Sequence, residues 1–277
     1  VKAMPEESYK GYPDPSRVIS VEQAAGLVGR KDVVFVDTRN YWKYAKGHIP
    51  GAVNLELYAF HWVDTSTEGV RAFAKQMVSL LGALGIGNEK QVIFYQNNSG
   101  YDAARGVWLL ELLGNKKGRL LDGGLNLWKR EGRALSSEDP KYDRAKFILK
   151  LEESQLCTLE ALQGHVRMKD ATVIDVRNPG EFSGKYRRAL KLGHVPGSRN
   201  TEWKNALRRD GTLKDARQLR RIYEGISPDS QVVTYCQSGY RAAHSWLVLN
   251  LLGFRSVSNY LGSWYEWGNG EETTVAR

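Results

Sequence analysis

The chain has 277 residues, 42% hydrophobic and 26% charged, with a net charge of +9 and two cysteines. That length predicts about two domains of roughly 100–150 residues, each able to bury its own core, in an ordinary soluble globular protein. The longest apolar runs, such as Val107–Leu113, fall well short of the ~18–20 residues of a membrane span.

Val1–Ser20 carries Lys2, Glu6, Glu7, Lys10, Asp14 and Arg17 and no apolar run, so neither a signal peptide nor an anchor is expected there. Cys157 and Cys236 lie far apart, with no C-x-x-C and no His/Cys cluster, which argues against a disulfide framework and a structural zinc. Sparse thiols fit a reducing cytoplasm. No metal and no cofactor are expected.

In chain order, one unit is used twice. Ile19–Val28 matches Cys157–Val166 without gaps, each reading as a helix start with Ser20 or Thr158 as cap; Gln23 completes a capping box with Ser20. Cys157 takes the place of Ile19, a small buried apolar residue. Val33–Asp37 with Arg39 matches Thr172–Asp175 with Arg177. Both are continuous apolar runs that read as strands buried on both faces, each ending in an acid–arginine ion pair. Gly-His-x-Pro-Gly recurs at Gly47–Gly51 and Gly193–Gly197. Its glycines and proline predict a rigid loop, and His48 and His194, present in both copies, read as structural. Gln91–Tyr95 matches Gln231–Tyr235, and apolar helices follow over Ala103–Leu113 and Ala242–Leu252, closed by Gly114 and Gly253. Trp128 and Trp267 hold equivalent core places near the ends. Alternating strands and helices predict an α/β fold, with a mainly parallel sheet flanked by helices in each of two domains. The expected division is residues 1–134, a polar linker over 135–150, and 151–277.

The two copies differ at one telling position. The second has Cys236 where the first has Gln96, in a loop one residue longer. Cys236 sits at a strand's carboxyl end facing a helix N-terminus, where inward N–H groups stabilise a thiolate. The six residues Cys236, Gln237, Ser238, Gly239, Tyr240 and Arg241 can curl into an anion cradle, with Arg241 adding a forked donor. Arg177–Arg221 holds thirteen Lys/Arg against four acids, which reads equally as a solvated face or as a field drawing small anions. Nothing in that run resembles a nucleic-acid module. His244, one turn beyond Arg241, reads as a packed histidine; Trp264, with Tyr41, Trp42 and Tyr101 of the first copy, reads as an apolar wall.

Three chemistries would use such a site. One is sulfur transfer through a persulfide on Cys236, with ping-pong kinetics. The second is a phosphocysteine phosphatase, disfavoured because C-x4-R makes a smaller cradle than C-x5-R. The third is a non-catalytic binding module.

Asp175–Arg177, Glu181–Gly184, Gly193–Gly197, Cys236–Arg241 and Gly262–Trp267 together resemble the tandem-domain rhodaneses, the two-domain thiosulfate sulfurtransferases, over about Val18 to Asn269. The resemblance implies two rhodanese-like domains, a silent first one, and a persulfide on Cys236. A small anionic sulfur donor and a cyanide or thiol acceptor are the implied partners. There are departures. Gln237 and Ser238 lean toward the mercaptopyruvate sulfurtransferases, and Arg241 toward bacterial thiosulfate enzymes. Leu261 stands where many relatives have aspartate. Glu181 stands where mercaptopyruvate enzymes carry an arginine, so Arg187 or Arg188 is expected to reach the site instead. Thiosulfate is preferred as donor, with mercaptopyruvate as the alternative.

Overall fold

A computed structural model describes residues 9–277; residues 1–8, the start of the segment expected to be neither signal nor anchor, lie outside the described residues. The first domain runs β1 (Val18–Ile19), α1 (Val21–Ala25), β2 (Val33–Asp37), α2 (Tyr41–Ala45), β3 (Val53–Asn54), α3 (Thr67–Ala83), β4 (Gln91–Tyr95), α4 (Tyr101–Leu112), β5 (Gly118–Leu121) and α5 (Gly124–Arg130). The second repeats it as β6 (Leu156–Cys157), α6 (Leu159–Met168), β7 (Thr172–Asp175), α7 (Pro179–Phe182), β8 (Arg199–Asn200), α8 (Ala216–Ile222), β9 (Gln231–Tyr235), α9 (Tyr240–Leu251), β10 (Ser256–Tyr260) and α10 (Ser263–Trp267). Both sheets have five parallel strands, ordered β1-β5-β4-β2-β3 and β6-β10-β9-β7-β8.

Local chemistry sets the helix starts. The Ser20 hydroxyl accepts from Gln23 N and the Gln23 side chain closes the box; Asn178 with Glu181 and Asp215 with Gln218 do the same. Thr158 accepts from Ala161 N. Each cap satisfies amides that no helical carbonyl reaches. β2 is buried along its whole length, as its apolar run Val33–Val36 requires between two helical layers.

α4 and α9 explain their own sequences. Both are apolar nearly all round because each lies between its own sheet and the other domain, and the largest core cluster runs continuously through both. Further bonds close the interface: Tyr240 Oη donates to Leu57 O (2.8 Å), Trp108 Nε1 to Gln155 O (2.8 Å), and Leu213 N to Asp122 Oδ1 (2.8 Å). The N-terminal stretch is a clasp: Asp14 N donates to Leu251 O (3.2 Å), while Arg17 forks onto Glu111 of α4 (2.8 and 2.9 Å). The polar stretch over 135–150 is a strap laid along the first domain. Ser136 pairs with His48 in an antiparallel bridge, Ala145 N donates to Gly82 O (2.9 Å), and Ile148 N to Asn88 Oδ1 (2.7 Å). Its polarity reflects one face in water, while Phe147 on the other is buried.

Candidate active site

Cys236 follows β9, the strand between β10 and β7, so it emerges at the carboxyl edge where parallel sheets hold ligands. The loop is pinned from beneath. Cys236 N donates to Ser263 Oγ (3.1 Å), Trp264 N to Cys236 O (2.9 Å), Tyr265 N to Gln237 O (2.9 Å) and Asn259 Nδ2 to Gly239 O (3.0 Å). Ser263 itself has a left-handed φ of 51°, a strained conformation for a non-glycine residue at the base of the loop. Gly239 opens α9 at φ 79°; a Cβ there would stand 2.8 Å from Leu261 O, so both conformation and space demand glycine. No side chain caps α9, leaving its first N–H groups and positive dipole end to the loop. Ser238 N lies 3.5 Å from Cys236 Sγ.

Cys236 is itself buried, 1% exposed. Its side chain is the floor of the cradle, and the half-buried Gln237, Ser238 and Arg241 form the outer face. A sulfur bonded to Sγ stands about 2 Å further out.

Arg241 is not a free fork. Its Nη1 and Nη2 donate to Glu181 Oε2 (2.8 Å) and Oε1 (3.0 Å), and Glu181 is 2% exposed. Burial works to raise the Glu181 pKa, but the Arg241 hydrogen bonds and charge reverse this and hold the carboxyl below its ordinary range. Burial likewise opposes the Arg241 charge, and Glu181 together with the Cys236 thiolate pushes its pKa up. Arg188 reaches the edge of this pair, its Nε 3.9 Å from Glu181 Oε1, and its carbonyl accepts from Gln237 Nε2 (3.0 Å). Arg187 turns to Leu190 O (2.8 Å). Of the basic run, Arg217, Arg220 and Arg221 are exposed on α8, a solvated face, while Arg188 lies beside the loop. With Arg241 occupied, no bidentate phosphate clamp remains, which weighs against the phosphatase reading.

The first domain fills the corresponding place with its own side chain. Gln96 Oε1 accepts from Asp102 N (2.8 Å) and Ala103 N (3.2 Å) at the N-terminus of α4, so an internal amide oxygen sits where the second loop has a thiol. Asp102 beside it is pushed up to about 6 by burial and then by the charge of Glu56.

Other singled-out residues take structural places. Trp264 is buried, with its ring 4.4 Å from the Arg177 guanidinium. Arg177 forks onto Asp175 (2.6 and 3.0 Å), as Arg39 does onto Asp37 (2.6 and 2.9 Å). His48 and His194 bond Tyr44 O (3.0 Å) and Phe182 O (2.9 Å) and stack on those same residues' rings. Trp128 and Trp267 are buried and donate to Ala134 O and Thr274 O. Leu261 is wholly buried among apolar side chains. Burial pushes the Cys157 thiol up to about 12, with Glu266 adding to it, so it is inert. Tyr41 and Trp42 lie exposed on α2 and contact one another. Tyr101 does stand at the site: it packs on Trp203 (5.0 Å), and burial first, then Asp102, raises its pKa against the pull of Arg241.

Sequence reasoning missed the aromatic group from the first domain. Tyr58 and His61 lie 5.4 and 6.2 Å from the Tyr240 ring, and His61 lies 6.0 Å from Tyr265. It also missed Arg105, whose signal was a lone cation in the otherwise apolar start of α4. A groove of about 680 Å³ lies elsewhere, between the α3 and α6 N-termini beside Glu266. A cavity of about 300 Å³ is lined by Gln96, Tyr58, Tyr101 and Asp102 of the first domain. Among the described residues no group of three or more His, Cys, Asp or Glu is arranged to hold a metal, and no helix is long and apolar enough to cross a membrane.

The chain is similar to known proteins over nearly its whole length. The chain is 34% identical to a thiosulfate sulfurtransferase of Pseudomonas aeruginosa over 266 residues, 95% of this chain and 98% of that protein. It is 34% identical to the sulfur carrier protein TtuD of Thermus thermophilus, over 94% of this chain and 96% of that one. An anaerobic ergothioneine biosynthesis enzyme from Chlorobium limicola superposes with a TM-score of 0.80 at 22% identity, covering 95% of this chain and 71% of that one, a likeness of fold. A rhodanese-like domain is matched twice, over residues 20–131 and 158–269, each match running from the first helix to the last helix of one five-stranded unit, and the chain therefore belongs to the rhodanese family as a tandem pair.

Proposed function

We propose that the protein is a thiosulfate sulfurtransferase working through a persulfide on Cys236. The ionised Cys236 Sγ attacks the outer sulfur of thiosulfate; the S–S bond to the sulfonate sulfur breaks and sulfite leaves with its electron pair. The terminal sulfur of the resulting persulfide carries the negative charge. The Ser238 amide, 3.5 Å from Sγ, and the uncapped N-terminus of α9 would stabilise that charge without a metal or a proton donor, with Arg241 at the rim. Cyanide, or a thiolate, then attacks that sulfur, departs as thiocyanate or a new persulfide, and returns the Cys236 thiolate. Each half-reaction conserves charge and needs no acid or base, which implies ping-pong kinetics.

The observation that carries this reading is the loop itself: a thiol on the floor of an uncapped helix N-terminus, where the first copy has closed the same place with Gln96. Family membership over nearly the whole length of a thiosulfate sulfurtransferase supports the same donor. The site residues are then Cys236 as nucleophile, Gln237, Ser238, Gly239, Tyr240 and Arg241 as the donor cradle, and Arg188 at its rim. Arg187 and Trp264 support the loop's surroundings. Assaying thiosulfate and mercaptopyruvate side by side with cyanide as acceptor tests this. Thiosulfate should give the higher kcat/KM, and a preference for mercaptopyruvate would overturn the assignment of donor.

A further inference from the structure

α4 and α9 start at equivalent residues, Tyr101 and Tyr240, and the fifth residue of each reaches into the other domain. His244 Nε2 bonds the carbonyl of Ser99 in the silent loop at 2.9 Å. Arg105 Nη1 donates to the carbonyl of Gly239 in the cysteine loop at 3.3 Å. The exchange is not even-handed. Burial holds His244 down to about 4, so the group beneath the silent loop is neutral at pH 7. The group beneath the cysteine loop is a guanidinium.

Arg105 is 2% exposed and lies against the rings of Trp108, Tyr240 and Phe73 at 4.2, 4.9 and 5.7 Å. Burial brings it down to about 10, which leaves it charged at neutral pH. A buried charge is costly unless something opposes it, and ring faces offset part of that cost. Among the described residues no carboxylate pairs with it; the groups whose negative forms act on it are Tyr240 and Cys236. Tyr240 is excluded, because its hydroxyl donates to Leu57 O and burial pushes it up to about 12. The cysteine remains. Facing that thiol are Arg105 and Tyr101 from α4 and Tyr240 and Arg241 from α9, with Glu181 of α7 behind Arg241.

We propose that Arg105 is a positioning residue for the sulfur site: lent by the first domain, it holds the Gly239 carbonyl and supplies the buried countercharge of the ionised Cys236. Arg241 faces the thiol as well but is paired with Glu181, whereas Arg105 comes from the domain that has no thiol of its own. The proposal rests on Cys236 as the nucleophile assigned above.

The test is the pH dependence of iodoacetamide alkylation in the full chain, scored on the peptide that holds Cys236, for the wild type and for Arg105→Met, Arg105→Gln and Arg105→Lys. Both neutral variants should raise the alkylation midpoint by about one pH unit or more, so that the rate at pH 7 falls about tenfold; Arg105→Lys should stay near the wild type. Midpoints within a few tenths of the wild type in a folded neutral variant overturn the proposal, as does an Arg105→Lys shift equal to that of Arg105→Gln, which is what lost packing alone would give. Should neither neutral variant fold, the ammonium introduced by Arg105→Lys is titrated with Cys236 intact and with Cys236→Ser. It should titrate at least one unit higher beside the cysteine, and equal values overturn the coupling. No sulfur donor enters these measurements, so their failure is read separately from a failure to turn over thiosulfate.

Discussion

His244 gives a prediction with a defined sign. It is wholly buried, and burial lowers its pKa from 6.5 to about 4, with the Ser99 bond opposing in part. Between those values the unfolded chain takes up a proton that the folded chain refuses, so stability rises with pH across the window and is lost as pH falls from about 6.5 toward 4. The whole shift corresponds to about 3 kcal/mol, of which about 2 kcal/mol is lost between pH 7 and pH 5. His244→Gln keeps an N–H for Ser99 O and removes the titration. Urea unfolding at pH 7 and pH 5 should therefore show the wild type losing about 2 kcal/mol more than the variant. Carboxylates common to both chains cancel in the comparison. Equal losses would mean that the histidine is protonated within the fold, and that the neutral contact beneath the silent loop is wrongly drawn.

Other expectations follow from neighbouring contacts. Glu181→Gln should cost about 2 kcal/mol of stability by breaking the buried pair with Arg241, while lowering the KM for thiosulfate because a cation is released beside the loop; denaturation and steady-state kinetics on one preparation check both signs. Gln96→Ala should destabilise the chain by about 1 kcal/mol through the amides it uncovers at α4, with kcat/KM for thiosulfate unchanged. Cys157→Ala should leave sulfur transfer intact, and in the folded wild type Cys157 should escape alkylation at pH 9 by peptide mapping, since its thiol is held up to about 12.

Much of this fold was legible in the sequence because each part is local. Ser20 and Gln23, the apolar run Val33–Asp37 and the glycine-bounded histidine loops carry their structure within a few residues. Comparison of the copies then isolated Cys236 against Gln96. What stayed hidden is set by contacts between distant segments. His244, read as a packed histidine, is packed but also bonds the Gln96 loop of the first domain; Arg105 crosses the other way. Arg241 and Glu181 meet across 60 positions, and from spacing alone Arg241 looked free to grip a donor. The burial of Cys236 was not legible for the same reason: it belongs to a core cluster shared with the first domain and is pinned by Ser263 of α10, and no periodicity encodes which side of a loop faces water.

The persulfide itself offers the most direct measurement. After exposure to thiosulfate and removal of excess donor, intact mass spectrometry should show the wild-type chain heavier by one sulfur atom. Cyanide should discharge it, and Cys236→Ser, folded by circular dichroism, should gain nothing. A wild-type chain that acquires no sulfur, or a Cys236→Ser chain that still does, would contradict the mechanism.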